Sequence, residues 1–357
     1  MTVSPFSHKV RLLLCGNCAG PLPAPNEGGI ATCEFCDTKS VLDPREEIPI
    51  TPAERPPITE QDRLLKLRGQ DGKNVTPPSE LPFALMVWHG EDNPKRAKLG
   101  IEWWKKTIAG IKEGGSDADK HERVIYWLTL TFTNYYGSRK EWDRLRGMLE
   151  TSVEVCRVPA NLQVLRCYLA RFAARMGDFE AAHEWLAACD PRSEDLRMDS
   201  AWRYSNALIA QYQSQFSRVL ELLGKKFDEV PIAQELDFTV SMVRANALER
   251  MDDLEGAKQV LRDTLASTRG QPRLLKEIAE QSHTKLCPQA WPVVYAEAQR
   301  GWVIRYWVMT AVWLGAANYF ALDWILGEDG DGWSIGLGWL VIPVLAVGWV
   351  LRARWRP

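Results

Sequence analysis

What this chain has little of narrows its chemistry first. It carries no excess charge of either sign: 44 Lys and Arg stand against 46 Asp and Glu, a net charge of −2. No global basic field exists to hold nucleic acid. There is no glycine-rich phosphate loop, no H-E-x-x-H helix, no G-x-S-x-G elbow and no Cys/His pair at nucleophile spacing. No residue is therefore nominated as catalytic, and the chain reads as a non-enzyme. The start also reads without a secretory leader, because the apolar stretch Val10-Arg11-Leu12-Leu13-Leu14 is too short and a cysteine follows at once.

What is present begins with four cysteines, Cys15-x2-Cys18 and Cys33-x2-Cys36, with fourteen residues between the pairs. Knuckles at this spacing can place four thiolates tetrahedrally around one Zn²⁺ at about 2.3 Å. The metal would stabilise a segment too small to fold on apolar burial alone. Thiols kept for metal imply a reducing compartment, and four protein sulfurs close the shell, so the ion is expected to be structural. Residues 9–42 read as the module. Pro21, Pro23, Pro25 and the turn pair Gly28-Gly29 follow the first knuckle; Ile30-Ala31-Thr32 makes a strand into the second and Ser40-Val41-Leu42 a strand out of it. With these knuckles the segment resembles the zinc-ribbon family, in which two knuckles cap a small sheet. That family often has Gly directly after the second cysteine of each knuckle; here Ala19 and Asp37 stand there, with Gly20 one residue after Ala19.

Residues 43–94 read as a proline-rich linker. Eight prolines lie from Pro44 to Pro82 among many charges, with one short helix expected at Glu60–Arg68. The ribbon is then free to move relative to the rest of the chain. Residues 95–287 carry a helical periodicity that recurs. An apolar residue opens each second helix at Trp142, Phe179, Phe216 and Leu254. Three residues on stand Leu145, Ala182, Val219 and Ala257, and four further on Leu149, Leu186, Leu223 and Leu261. A small residue recurs in each first helix at Thr133, Ala170, Ala207 and Ala245, with offsets of 37, 37 and 38 between units. This spacing buries one helix face. The turn Gly177–Ala182, with Pro191 closing its unit, resembles the tetratricopeptide repeat, although the period exceeds that family's about 34 residues. The resemblance implies stacked helix pairs that present an extended groove to a protein partner. Arg96–Lys112 would cap one end and Leu274–Leu286 the other. Pro288 and Pro292 would break the array, leaving 288–301 as a juxtamembrane segment.

Trp302–Leu326 holds 25 mainly apolar residues and Trp333–Leu351 holds 19, roughly 37 and 28 Å as helices. Both suit a hydrocarbon core of about 30 Å. The acidic turn Gly327–Gly332 between them makes an antiparallel transmembrane hairpin. Arg300 and Arg305 precede the turn and Arg352, Arg354 and Arg356 follow in the basic tail 352–357, so both chain ends are expected in the cytosol. Arg305 and Asp323 lie near the interfaces and can snorkel. Ala311-x3-Gly315 would let helices approach, including those of a second copy, and Pro343 would kink its span.

The remaining clusters read as structure. Cys156, Cys167, Cys189 and Cys287 lie singly in helical segments, reduced and buried. His283 and Cys287 share a helix face but have no second ligand pair nearby. Asp117, Asp119, His121 and Glu122 suit a solvated loop and helix start. The expected fold is mainly α: a tetratricopeptide-like solenoid, a small β zinc ribbon at the N-terminus and a transmembrane helical hairpin at the C-terminus. The expected function is a scaffold or adaptor of bacterial inner-membrane type, its bulk in the cytosol, binding protein partners through the helical groove and the ribbon. Two alternatives stay open here. The ribbon could bind nucleic acid, although Lys9, Arg11 and Lys39 are offset by Glu27, Glu34 and Asp37, a poor balance for phosphate contacts. Several hairpins could also join as a homo-oligomer around a pore.

Overall fold

The computed structural model describes residues 10–45, 58–70, 76–113, 117–267, 286–298 and 300 of the chain. The expected hairpin at 302–326 and 333–351, its basic tail, and all but the last residue of the expected cap Leu274–Leu286 lie outside these. Among the described residues no helix is long and apolar enough to cross a membrane.

The chain is mainly helical, with a small two-hairpin region at its start. Strand β1 (Val10–Leu14) pairs antiparallel with β2 (Pro21–Pro25), and β3 (Gly29–Thr32) with β4 (Lys39–Leu42). The helices are α1 (Glu60–Arg68), α2 (Phe83–Met86), α3 (Pro94–Glu113), α4 (Ala118–Arg139), α5 (Trp142–Val155), α6 (Pro159–Arg175), α7 (Phe179–Ala187), α8 (Leu196–Tyr212), α9 (Phe216–Leu223), α10 (Asp237–Arg250), α11 (Leu254–Ser267) and α12 (290–298). From α4 to α11 they pack as successive pairs, and α6 also packs on α8, and α8 on α10.

The turns inside the four pairs are alike. Lys140, Gly177, Ser214 and Asp252 each take a left-handed backbone, with φ of 58°, 85°, 58° and 64°. The N–H of the following residue then reaches back to the carbonyl of Tyr136, Ala173, Ala210 or Leu248 at 3.0, 3.0, 2.8 and 2.9 Å. This step ends one helix and aims the chain into the next. Only Gly177 adopts it without a steric cost.

Buried polar side chains join one pair to the next. In α4, Glu122 accepts the N–H groups of Arg157 and Val158 ahead of α6, at 2.9 and 2.8 Å. In α6, Gln163 accepts from Asp190 N at 2.9 Å; in α8, Ser200 accepts from Ala233 N at 2.9 Å. In α10, Glu249 accepts from Gln289 and Ala290 N at 3.1 and 2.8 Å. Each satisfies backbone donors in the connection to the next pair, where no regular helix or strand bond serves them. Glu122 is thus 5 % exposed and not part of a solvated loop. Pro292 does not break the array either: it falls in the first turn of α12, where its missing N–H removes no bond, and Ala290, Trp291 and Val294 enter the core formed with α10 and α11.

The proline-bearing first hairpin departs from the sequence reading. Pro21, Pro23 and Pro25 alternate along β2, so their missing donors all fall on one edge, while Leu22 and Ala24, each 1 % exposed, pair with Leu13 and Arg11. The ribbon is also docked. Strand β1 lies on α5, Leu14 enters the main apolar core, and Gly147 makes the approach possible, since a Cβ there would sit 3.0 Å from the Leu13 carbonyl oxygen.

Nor is 43–94 a free linker over its described residues. Helix α1 forms at the residues expected, with the Thr59 hydroxyl accepting from Asp62 N at 3.1 Å. It is held on the array because Arg63, 2 % exposed, bonds Asp199 at 2.7 Å and the Ser193 carbonyl at 2.8 Å. Trp88 is fully buried, edge-on to Phe132 and Tyr135 with centroids 5.1 and 5.6 Å away. Proline-rich composition signalled little helix or sheet; it carried no signal for these few buried anchors.

Candidate metal centre

The two knuckles are built in the same way. After Cys15 and Cys33 the chain turns so that Ala19 N donates to the Cys15 carbonyl at 2.8 Å and Asp37 N to the Cys33 carbonyl at 2.9 Å. Each turn closes with a second bond, Cys15 N to the Gly20 carbonyl at 2.9 Å and Cys33 N to the Thr38 carbonyl at 3.0 Å. The positions where a ribbon often has glycine are left-handed here too: Ala19 has φ 57° and Asp37 φ 55°. The turn is the same, and Ala19 carries its steric cost of roughly 1 kcal/mol. Gly20 beside it cannot be replaced freely, since a Cβ would lie 2.8 Å from the Phe35 ring and 3.2 Å from Cys18 Sγ.

All four sulfurs, of Cys15, Cys18, Cys33 and Cys36, lie within 4.8 Å of one another. Cys15 Sγ is 3.7 Å from Cys36 Sγ, and Cys18 Sγ is 3.5 Å from Cys33 Sγ. A tetrahedral thiolate shell at about 2.3 Å has edges of about 3.8 Å, so the set is already close to the size of one metal ion. Cys15 and Cys33 are buried at 1 % and 0 % exposure, and Cys18 faces solvent.

Further groups around the sulfurs had no signature in the spacing. Thr38 holds Cys36 down to about 6 through its hydroxyl, 3.2 Å from the sulfur, and through a backbone bond. Gly20 N donates to Cys18 Sγ at 3.3 Å. Asn17 Nδ2 donates to the Thr38 hydroxyl at 3.1 Å, tying one knuckle to the other. Lys105 of α3 donates to the Asn17 carbonyl at 2.5 Å, so the metal end also touches the array. The two contacts that reach sulfur, Thr38 on Cys36 and Gly20 N on Cys18, favour thiolate over thiol, although burial still pushes Cys18 up.

The other cysteines do not join this site. Cys156, Cys167, Cys189 and Cys287 are buried and free, and the Cys287 thiol turns to the Met242 carbonyl at 3.5 Å. His283, Arg305 and Asp323 lie outside the described residues. Among the described residues the four ribbon cysteines form the one group of metal-ligating side chains close enough to hold an ion. No known protein family, curated protein or solved structure matches this chain.

Proposed function

We propose that the protein is a membrane-anchored scaffold that binds protein partners along its paired helices, with a zinc ion as the structural staple of its ribbon. The four alike helix-pair turns carry this reading. They repeat one supersecondary unit whose apolar face is covered only by its neighbours, the logic of a tetratricopeptide-like array. The small positions Ala170, Ala207 and Ala245 at the centre of three first helices are fully buried, as are Ala182, Val219 and Ala257 across from them.

One ridge of the array has the composition of a protein-docking surface. On α6 the Arg171 guanidinium lies 3.9 Å from the Tyr168 ring centroid and 4.9 Å from that of Tyr204, and Arg175 lies 4.4 Å from that of Trp142. Neither arginine pairs with a carboxylate among the described residues, and Tyr212 stands exposed within electrostatic reach of both. Aromatic residues and arginine are the types enriched at partner interfaces. Zinc is preferred for the ribbon because four thiolates at tetrahedral size suit it, and a closed shell leaves no position for water or substrate. The anchor in this reading is the pair of apolar runs at 302–326 and 333–351. The ribbon is a poor nucleic-acid binder on this view, since Arg11 is committed to Glu154 at 2.6 Å.

The test is cross-linking mass spectrometry on native membranes followed by co-purification of the detergent-solubilised full chain. Partners that cross-link to α6 and α8 and are lost in Arg175→Glu and Tyr212→Ala support the reading. Quantitative extraction of the chain by alkaline carbonate, or partners undiminished by both substitutions, would sink the anchor and the ridge respectively.

A further inference from the structure

Between the end of α1, the start of α8 and the segment 227–237 leading into α10 lies a cavity of about 680 Å³. That is the size range of small-ligand sites. Leu67, Leu196, Phe227 and Ile232 supply apolar walls. Most of the polar lining is already committed to holding those walls together. Arg68 donates to the Asp228 and Glu229 carbonyls at 3.3 and 2.8 Å. Gln70 donates to the Glu194 carbonyl at 2.5 Å and accepts from Leu196 N at 2.9 Å.

Asp237 is different. It opens α10 on the cavity wall, yet its carboxylate has no hydrogen bond or ion pair with any described residue. The one charge that acts on it among the described residues is that of Arg244. That guanidinium is 1 % exposed and directed elsewhere, to the carbonyls of Leu223 at 2.6 Å, Gly224 at 3.1 Å and Phe227 at 3.2 Å. The backbone beneath Asp237 is fixed by Leu236 N to the Ala233 carbonyl at 2.8 Å and by Ala233 N to the Ser200 hydroxyl at 2.9 Å. A half-buried carboxylate without a partner is costly to the fold. Here it stands in the wall of an open pocket of mixed polar and apolar lining, large enough for a small ligand.

We infer that this cavity is a binding site for a cation on an apolar stem, a primary ammonium or guanidinium that pairs with Asp237 while its stem lies against Phe227 and Ile232. Two sources share this chemistry: a free amine, and a basic side chain of a peptide. The site stands independently of the partner ridge on α6 and α8. Because α1 forms one wall, its occupancy also favours the docked α1.

Isothermal titration calorimetry on the full chain in detergent tests the site with agmatine and phenethylamine as free cations, the capped tripeptide acetyl-Leu-Arg-Leu-amide as the peptide source, and N-acetylphenethylamine as the neutral control. The expected result is heat of binding from at least one cationic probe, none from the neutral control, and weakening by about tenfold or more in Asp237→Asn, the scale of one lost charge-assisted hydrogen bond. Whichever cationic arm binds identifies the source. Ile232→Trp, which fills the cavity without touching the charge, should abolish the same heat, and thermal melts establish that both variants are folded. Equal binding by Asp237→Asn, equal binding of the neutral control, or no binding by either cationic class would overturn the inference.

Discussion

The backbone N–H of Leu12 in β1 donates to the buried carboxylate of Glu150 in α5 at 2.7 Å, across 138 residues of sequence. Beside it Leu14 N reaches the Thr151 hydroxyl at 3.1 Å. A strand edge that would otherwise face water is satisfied by a helix. The cysteine ribbon therefore belongs to the array.

Replacing Glu150 with Ala removes this acceptor and the buried carboxylate that Arg146 bonds at 2.6 Å. The expected loss is about 3–5 kcal/mol. Hydrogen exchange should show the Leu12 and Leu14 amides losing protection well before those of α8. Unchanged protection at Leu12 would mean the docking rests on Leu14 burial alone.

Metal analysis should find one zinc per chain, lost in Cys15→Ser and Cys33→Ser. Chelation should unfold the ribbon while leaving most helix circular dichroism, because α3 to α11 have their own core.

Helix α1 is locked by a ring of alternating charges. Glu60 Oε1 meets Arg63 at 2.8 Å and Arg203 at 2.5 Å, and Asp199 meets the same two at 2.7 and 2.8 Å. Glu60 is held down to about 2 from an ordinary 4.5, chiefly by its hydrogen bond from Arg63. A lowered carboxylate contributes stability that is present above the ordinary value and lost as pH falls toward the folded one. Protection factors of the amides in 60–68, taken relative to intrinsic exchange at each pH, should therefore fall between pH 4.5 and about 2, and Glu60→Gln should flatten that dependence. Asp199→Ala, which leaves the two guanidiniums to share Glu60, should cost about 3 kcal/mol at neutral pH.

Asp237 has the opposite sign. Burial pushes it up to about 6 from 3.8. The stability tied to its protonated form is fully present below 3.8 and lost as pH rises through about 6. Asp237→Asn should therefore stabilise the protein at pH 7.5, by on the order of 1 kcal/mol given its partial exposure, and the gain should vanish below pH 4. Paired thermal melts at the two pH values check this.

The left-handed turns allow a backbone test. Lys140→Gly and Ser214→Gly should each be neutral or raise stability by up to about 1 kcal/mol, while Gly177→Ala should lower it by about 1 kcal/mol. The sites are far apart, so denaturant midpoints of the double variant should reflect simple addition.

The parts legible in sequence were those that repeat or bind locally. Trp142, Phe179, Phe216 and Leu254 do open the second helices, because burial of one helix face writes its own three- and four-residue spacing into the chain. Glu60–Arg68 forms the short helix expected there, with Thr59 at its start and charges of matching sign at its two ends. The cysteine pairs were visible because a metal shell demands a few ligand types at short intervals. The first hairpin was not, since alternate prolines make an edge strand look like a loop. Nor were the buried roles of Arg63, Glu122 and Trp88, each of which depends on a partner more than 30 residues away.

The helical pairs and the four clustered sulfurs were written in the chain itself, because propensity, periodicity and cysteine spacing act within a few residues. That the ribbon and α1 lie against the array, and that Asp237 finds no hydrogen bond or ion pair among the described residues, came from long-range packing. Those outcomes turn on which buried donor meets which acceptor. A single unmet carboxylate or backbone N–H costs as much as several apolar contacts gain, yet nothing in the local pattern records where its partner lies.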